Sequence, residues 1–322
     1  MNRFIVAQSK DPYKNLALEA WLFENGRQDV WLYLWQNQHT VVIGRNQNAW
    51  KECRLSALEA DGGKLARRGS GGGAVYHDVG NLNFTFILPR DVYDLRRQLG
   101  VILAAMERLG IPARFTGRND LVTQDGAKFS GNAFQFSAHT ALHHGTILVA
   151  ADMGALSQYL APSKAKLAAK GVDSVRSRVC NLNTLRPGLT IDQVAQAVAA
   201  AFAGEYGPYQ IQDPQALDQT ALAVLEARFA SWEWRLGRRA AFDAQLETRF
   251  PWGEVTFQLA LRDGRVQEAH VFSDAMDADF IQALGPCLTG APYQPQALAA
   301  AVSQLPGPLA QDLAQWLQAQ TL

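Results

Sequence analysis

The most informative segment for the fold is RRGSGGGAVYHD, at residues 67–78. It ends in a short apolar stretch at 74–77, and a second apolar stretch follows at 82–88. Consecutive glycines let the backbone approach a ligand closely and gather several N–H groups into one concavity. The segment predicts two strands, at 74–77 and 82–88, joined by the turn-forming residues 78–81. Neither GxxxxGK[ST] nor a helix-opening G-x-G-x-x-G is present, so a P-loop and a dinucleotide-binding fold are both disfavoured.

The flanking sequence continues this pattern of strands that follow one another. Asp11-Pro12 predicts a helix start, and apolar spacing predicts another helix that ends at Gly110. A meander with a hairpin turn at Asp125-Gly126 is expected from 114 to 150, and further strands at 3–8, 30–35, 40–44 and 64–68. Since few helices separate the strands, the fold class is α+β, with a large mixed or antiparallel sheet.

The chain is expected to contain two domains. Residues 255–261 alternate apolar and polar, Asp263-Gly264 forms a turn, and a second strand covers 266–272. We therefore expect a large domain at 1–240 and a small α+β domain at 246–322.

Composition narrows the classes of protein. The chain has 322 residues, 48% of them hydrophobic, and 30 basic side chains balance 30 acidic ones. Such a balance gives no reason to expect nucleic-acid or membrane binding. Its three separated cysteines argue against disulfides and structural zinc, and no signal peptide is predicted, so we expect a cytoplasmic protein.

Two segments contain charged residues that are candidates for ligand binding or catalysis. Arg67 and Arg68 beside the glycines offer forked donors for a phosphate or a carboxylate. Asp120 could meet a Mg²⁺ ion carried by nucleotide phosphates, and Lys128 could stabilise negative charge that develops during acyl activation. A plain tight loop and an ordinary hairpin with a surface lysine are the structural alternatives.

Two further segments are more ambiguous. His143 and His144 are adjacent on a predicted strand, so one should be buried and the other exposed, which disfavours a shared metal. Residues 164–178 are rich in lysine and arginine, which suits either a solvated face or a mobile flap over a nucleotide.

The residue sequences of these segments, and their order along the chain, resemble those of a known protein family. The motifs RRGSGGGAVYHDVGN, GRNDLV, KFSGNAF, HHGTILV and KLAAKGVDSVRSRVCNL occur in that order. Together they closely resemble the lipoate–protein ligase A family of the two-domain enterobacterial type. The resemblance spans nearly the whole chain and is strongest between residues 31 and 185.

The resemblance implies a catalytic domain of the biotin/lipoate-ligase type and a small C-terminal accessory domain. It implies two half-reactions: lipoate and ATP with Mg²⁺ give lipoyl-adenylate and pyrophosphate, and a carrier lysine then takes the lipoyl group and releases AMP. The implied partners are lipoyl domains of 2-oxoacid dehydrogenase E2 subunits and the glycine cleavage H protein. A monomer without a tightly bound cofactor is expected.

The resemblance also implies functional residues. Lys128 is the catalytic lysine, and Asp120 meets Mg²⁺ transiently with the nucleotide. The residues implied to bind lipoate or nucleotide are Arg68, Ser70, Gly71, Gly72, Gly73, Ala74, Val75, Tyr76, Asn119, Asp120, Lys128, His144, Lys170, Gly171, Ser174, Val175 and Arg178. An apolar tunnel for the acyl tail could involve Trp35, Val75 and Phe134.

One departure keeps an alternative open. Cys180 stands where the family favours a non-nucleophilic residue such as threonine. An octanoyl or lipoyl transferase of the same fold would use a cysteine nucleophile and no ATP. A non-catalytic lipoyl-binding protein is the other alternative, and a swing of the small domain between the two steps is a further hypothesis.

Overall fold

The computed structural model describes residues 1–116, 120–161, 179–237 and 242–320. The strands are Asn2–Val6 (β1), Val30–Trp35 (β2), Thr40–Ile43 (β3), Lys64–Arg67 (β4), Val75–His77 (β5), Asn81–Pro89 (β6), Ala113–Thr116 (β7), Asp120–Thr123 (β8), Lys128–Phe136 (β9), Thr140–Leu148 (β10), Gln210–Ile211 (β11), Ala244–Phe250 (β12), Gly253–Arg262 (β13) and Arg265–Ser273 (β14). The α-helices are Pro12–Asn25, Ala49–Glu52, Leu55–Ala60, Leu95–Arg108, Met153–Tyr159, Ile191–Tyr206, Gln219–Ala230, Trp232–Leu236, Ala278–Leu288, Pro295–Val302 and Pro308–Gln318. Single 3₁₀ turns cover Arg90–Val92, Leu182–Thr184 and Pro214–Ala216.

The expected α+β class is confirmed by an eight-stranded mixed sheet in the order β11-β1-β2-β6-β10-β9-β8-β7. The pairs from β2 to β7 are antiparallel, whereas β1 is parallel to both β2 and β11. Helix Pro12–Asn25 connects β1 to β2, as a parallel pair requires. Its start follows the sequence signal, because the Asp11 side chain accepts a hydrogen bond from the Tyr13 N–H.

Both faces of this sheet are covered, which explains why its central strands are buried. Helices Leu95–Arg108 and Ile191–Tyr206 pack on one face, around Phe84, Phe86 and Phe202. On the other face lies helix Pro12–Asn25, against which helix Gln219–Ala230 packs. Strand β6, which runs through the middle, is buried from Asn81 to Leu88.

A second sheet of three strands, in the order β4-β3-β5, carries the glycine-rich loop. Strands β3 and β4 are parallel and β3 and β5 are antiparallel, so residues 68–74 return the chain from β4 to the far side of β3. The loop lies against β9 and β10 of the large sheet, where Ser70 contacts His144 and Gly69 lies near Gln135.

The C-terminal residues form a separate core of β12, β13 and β14 with three helices. This unit contacts the glycine loop directly: the Gly72 N–H donates to the Ala275 carbonyl at 3.0 Å. Asn46 donates its side-chain amide to the Ala278 carbonyl at 2.7 Å and accepts the Ser273 N–H at its own carbonyl at 2.9 Å. Among the described helices, none is long and apolar enough to cross a membrane.

Candidate active site

A cavity of about 160 Å³ lies between the glycine loop, β9 and β10. A cavity of similar size in other proteins holds a benzene-sized group. Its wall is contributed by both sheets and by one residue of the C-terminal unit: Trp35, Val42, Arg68, Gly72, Gly73, Ala74, Val75, His77, Asn83, Lys128, Gly131, Asn132, Ala133, His144, Gly145, Thr146 and Met276.

The glycine loop is wrapped around the guanidinium of Arg68. Arg68 donates from Nη2 to the carbonyls of Gly71 at 2.6 Å and Gly73 at 2.8 Å, and from Nε to Ser70 Oγ at 3.0 Å. Gly72 has φ of 86°, which side-chain-bearing residues rarely adopt. Burial lowers the pKa of Arg68 to about 10, which still leaves it charged at neutral pH. The loop therefore holds one fixed positive charge at the cavity wall.

A buried chain of hydrogen bonds continues from Arg68 to a carboxylate that the sequence analysis did not identify. Ser70 Oγ lies 2.8 Å from His144 Nε2, and His144 Nδ1 lies 2.8 Å from Glu19 Oε1. Glu19 Oε1 also accepts from Thr85 Oγ1 at 2.7 Å. Because the carboxylate can only accept, the neutral form of His144 would carry its proton on Nδ1 and accept the Ser70 hydroxyl on Nε2. No motif indicated Glu19, because it lies on an ordinary helix 125 residues from His144.

The expectation that one of the two histidines is exposed is wrong. His143 is fully buried and His144 is 7% exposed. Their side chains do point to opposite faces, but both faces of β10 are covered. His143 packs against Phe84 and Phe134, and burial, followed by the charge of His144, lowers its pKa to about 3.

At the other end of the cavity, Lys128 and Asp120 form an ion pair. Lys128 Nζ lies 2.7 Å from Asp120 Oδ1, and each side chain is more than a third exposed. The pair joins neighbouring strands, because Asp120 begins β8 and Lys128 begins β9. An exposed pair of this kind is weak and can exchange partners with a charged ligand.

The structure brings together most of the predicted site residues that it describes. Arg68, Gly72, Gly73, Ala74, Val75, Lys128 and His144 line the cavity. Ser70 and Asp120 contact these residues from behind. Asn119, Lys170, Gly171, Ser174, Val175 and Arg178 lie outside the described residues.

Three residues of the sequence prediction lie elsewhere. Tyr76 is buried against Tyr159, with ring centroids 5.7 Å apart, on the side of β5 away from the cavity. Gly71 contacts the C-terminal unit so closely that an added Cβ would lie 2.5 Å from the carbonyls of Ala275 and Met276. Arg67, which the sequence offered as a ligand donor, instead donates to backbone carbonyls, including those of Gln47 and Trp234.

Comparisons with known proteins match this architecture. Residues 11–203 match the model of the lipoyl protein ligase A/B catalytic domain, and residues 239–317 match that of the bacterial lipoate protein ligase C-terminus. P. falciparum LipL1, solved in complex with lipoate, superposes with a TM-score of 0.87 at 25% identity, over 99% of this chain and 100% of that one.

Two other solved structures align with a smaller part of the chain. A bipartite lipoate protein ligase from Thermoplasma acidophilum, described together with its E2 lipoyl domain as an archaeal lipoylation system, has a TM-score of 0.66 at 25% identity, over 76% of this chain and 99% of that one. A lipoate–protein ligase A bound with ATP shares the fold, with a TM-score of 0.63 at 24% identity, over 73% of this chain and 98% of that one. Because the catalytic-domain model covers more than half of its residues, this chain belongs to the lipoyl protein ligase A/B family and is an enzyme of the lipoate–protein ligase type.

Proposed function

We propose that this enzyme activates lipoate with ATP and Mg²⁺ and transfers the lipoyl group to a lysine of a carrier protein. A lipoate carboxylate oxygen attacks the α-phosphorus of ATP, giving lipoyl-adenylate and pyrophosphate. The carrier lysine amine then attacks the acyl carbon, loses a proton and releases AMP. The observation that carries the proposal is the cavity, whose wall combines the partly exposed Lys128 with the buried Trp35 and His77.

Lys128 is the proposed catalytic residue. Its ammonium group would leave Asp120 and contact the acyl carboxylate and the α-phosphate as negative charge develops there. Asp120, together with Asn119, would then meet the Mg²⁺ that arrives with ATP, because carboxylate and amide oxygens suit that ion. Arg68 and the cavity-lining loop residues Gly72–Val75 are proposed to lie along the adenylate, and His144 to border the acyl tail.

The nucleotide side of the site involves residues 167–179, the proposed adenylate-binding loop, which includes Lys170, Gly171, Ser174, Val175 and Arg178. Residues 1–240 are proposed to form the catalytic domain and 246–322 an accessory domain. Met276 supports a role for the latter, because it contributes to the wall of the cavity.

The proposed acceptors are lipoyl domains of 2-oxoacid dehydrogenase E2 subunits and the glycine cleavage H protein. The T. acidophilum ligase, which is described with an E2 lipoyl domain of its own lipoylation system, supports the first of these. We propose that the enzyme works in the cytoplasm as a monomer.

A cysteine-dependent transferase is disfavoured by the surroundings of Cys180. Burial, followed by the charge of Asp125, raises the pKa of the Cys180 thiol, whereas a nucleophilic thiol needs a lowered pKa. The Cys180 sulfur faces the Ala127 carbonyl at 3.9 Å. The backbone N–H of Cys180 donates to the Lys128 carbonyl at 2.9 Å. Cys180 therefore packs against the start of β9, where Lys128 lies.

Intact-mass analysis of an apo lipoyl domain tests the proposal. The domain is incubated with the enzyme, Mg²⁺, ATP and lipoate, and a parallel sample lacks ATP. A lipoyl-sized mass gain that requires ATP is expected. Modification from an octanoyl-carrier thioester without ATP, and none from free lipoate, would instead identify a transferase.

A further inference from the structure

The cavity wall contains a group of almost fully buried polar side chains. Trp35, His77 and Asn83 line the cavity, and none of them is more than 4% exposed. Trp35 is satisfied, because its Nε1–H donates to Thr85 Oγ1 at 2.9 Å. His77 and Asn83, by contrast, each have a nitrogen without a hydrogen-bond partner among the described residues.

A chain of amides fixes the position of the proton on His77. Asn15 Nδ2 donates to the Gln36 carbonyl at 2.8 Å, which identifies that atom as nitrogen, and also to Asn37 Oδ1 at 2.9 Å. Asn37 must then present Nδ2 to His77 Nδ1, at 3.2 Å. Since Nδ1 accepts, the single proton of the neutral imidazole lies on Nε2.

His77 Nε2 has no hydrogen-bond partner among the described residues, although less than 1 Å² of it is accessible. Asn83 adds a second such atom: its Oδ1 accepts from Asn81 at 2.9 Å, and its Nδ2 has no partner among the residues described. Burial, the charge of Arg68 and then that of His144 lower the pKa of His77 to about 3, so the ring stays neutral above pH 5. A buried donor without an acceptor is unfavourable, and native structures rarely contain one without a reason.

We propose that His77, assisted by Asn83, is a specificity-determining residue that selects an acyl tail carrying a hydrogen-bond acceptor at its far end. This inference rests on the proposed function, and the acceptor is a sulfur of the dithiolane ring of lipoate. Sulfur is a weak acceptor, but an all-carbon tail offers none and leaves the His77 Nε2–H unpaired. Sites with buried donors discriminate against analogues that lack the matching group.

The test compares lipoate with 5-cyclopentylpentanoate, which has the same chain and ring size but carbon in place of both sulfurs. Calorimetric titration of the full-length wild-type enzyme with each acid gives the two dissociation constants. We expect lipoate to bind about tenfold more tightly or better. In His77→Phe, which keeps a ring but removes the donor, the preference should fall below about threefold, mainly through weaker binding of lipoate.

His139→Phe is the matched control, because it makes the same change at an exposed turn away from the cavity. It should keep the wild-type preference. If His77→Phe does not fold, the wild-type comparison decides alone. Equal binding of the two acids by the wild-type enzyme overturns the inference; this result is expected if a retained water accepts the hydrogen bond from His77. An unchanged preference in folded His77→Phe also overturns it.

Lipoylation of a carrier domain is measured on the same wild-type sample. Transfer without a preference between the acids overturns only the inference about His77. Absence of both transfer and lipoate binding overturns the proposed function and the inference together.

Discussion

The two ends of the cavity hold their charges in different ways. At the mouth, Lys128 and Asp120 pair across 2.7 Å, with each side chain more than a third exposed. At the glycine loop, Arg68 and Glu19 are almost fully buried and joined through Ser70 and His144. An exposed pair can open when a ligand arrives, whereas a buried network is fixed before binding. Lys128 can therefore change partners during the reaction, whereas Arg68 fixes the shape of the glycine loop before a ligand binds.

Replacement of Lys128 by alanine tests the mouth and should have the largest effect. Loss of one charge that stabilises the transition state typically lowers the rate about 10²- to 10³-fold. Lipoate-dependent ATP–pyrophosphate exchange measures the adenylation step alone. The control Lys14→Ala removes an exposed lysine from helix Pro12–Asn25 and should leave exchange unchanged. Normal exchange in Lys128→Ala would contradict the proposed role.

Arg68→Lys tests the buried end. A lysine cannot reproduce the fork that binds Gly71, Gly73 and Ser70 together, so the loop loses its fixed shape. We expect lipoate-dependent exchange to fall about 100-fold, by analogy with other displaced positioning groups. Arg54→Lys is the matched control, because Arg54 also donates to two carbonyls but is exposed and away from the cavity. Equal activities in the two variants would show that loop shape is unimportant.

The buried histidine of β10 predicts a loss of stability in acid. The pKa of His143 is lowered to about 3, below its value of about 6.5 in an unfolded chain. Between these values the unfolded chain binds the extra proton, so the free energy of unfolding falls as the pH drops below about 6.5. From pH 7.5 to 5 this one group contributes a loss of about 2 kcal/mol.

Urea unfolding of the wild-type enzyme and His143→Gln at pH 7.5 and 5.0 measures that contribution. The variant should lose about 2 kcal/mol less between the two pH values, because the groups other than His143 titrate in both proteins. An identical loss in the two proteins would show that His143 is not held neutral.

Cys180→Ala should have the smallest effect. Because the thiol is not used as a nucleophile in the proposed reaction, ATP-dependent lipoylation of the carrier should remain within about twofold of wild type. Abolished transfer in a folded Cys180→Ala enzyme would restore the transferase hypothesis and shift the reacting centre away from Lys128.

Local signals in the sequence predicted most of the secondary structure. Asp11-Pro12 starts a helix and the meander through Asp125-Gly126 forms strands, because capping, proline geometry and turn chemistry act over a few residues. The residue pattern of the glycine loop also predicted Arg68 as a binding residue, and Arg68 lines the cavity. Short helices such as Ala49–Glu52 and Met153–Tyr159 were missed, because their few residues carry little periodicity.

The α+β class, the family and the motifs that surround the cavity could thus be predicted from the sequence, since all of these depend on local residue patterns. The different places of the adjacent Arg67, which binds backbone carbonyls, and Arg68, which lines the cavity, could be seen only in the folded chain. The same holds for the burial of both His143 and His144, for the place of His77 in the cavity wall and for the contact of Glu19 with His144 behind that wall. These outcomes depend on which strands and helices cover each face, and such contacts join residues far apart in the chain.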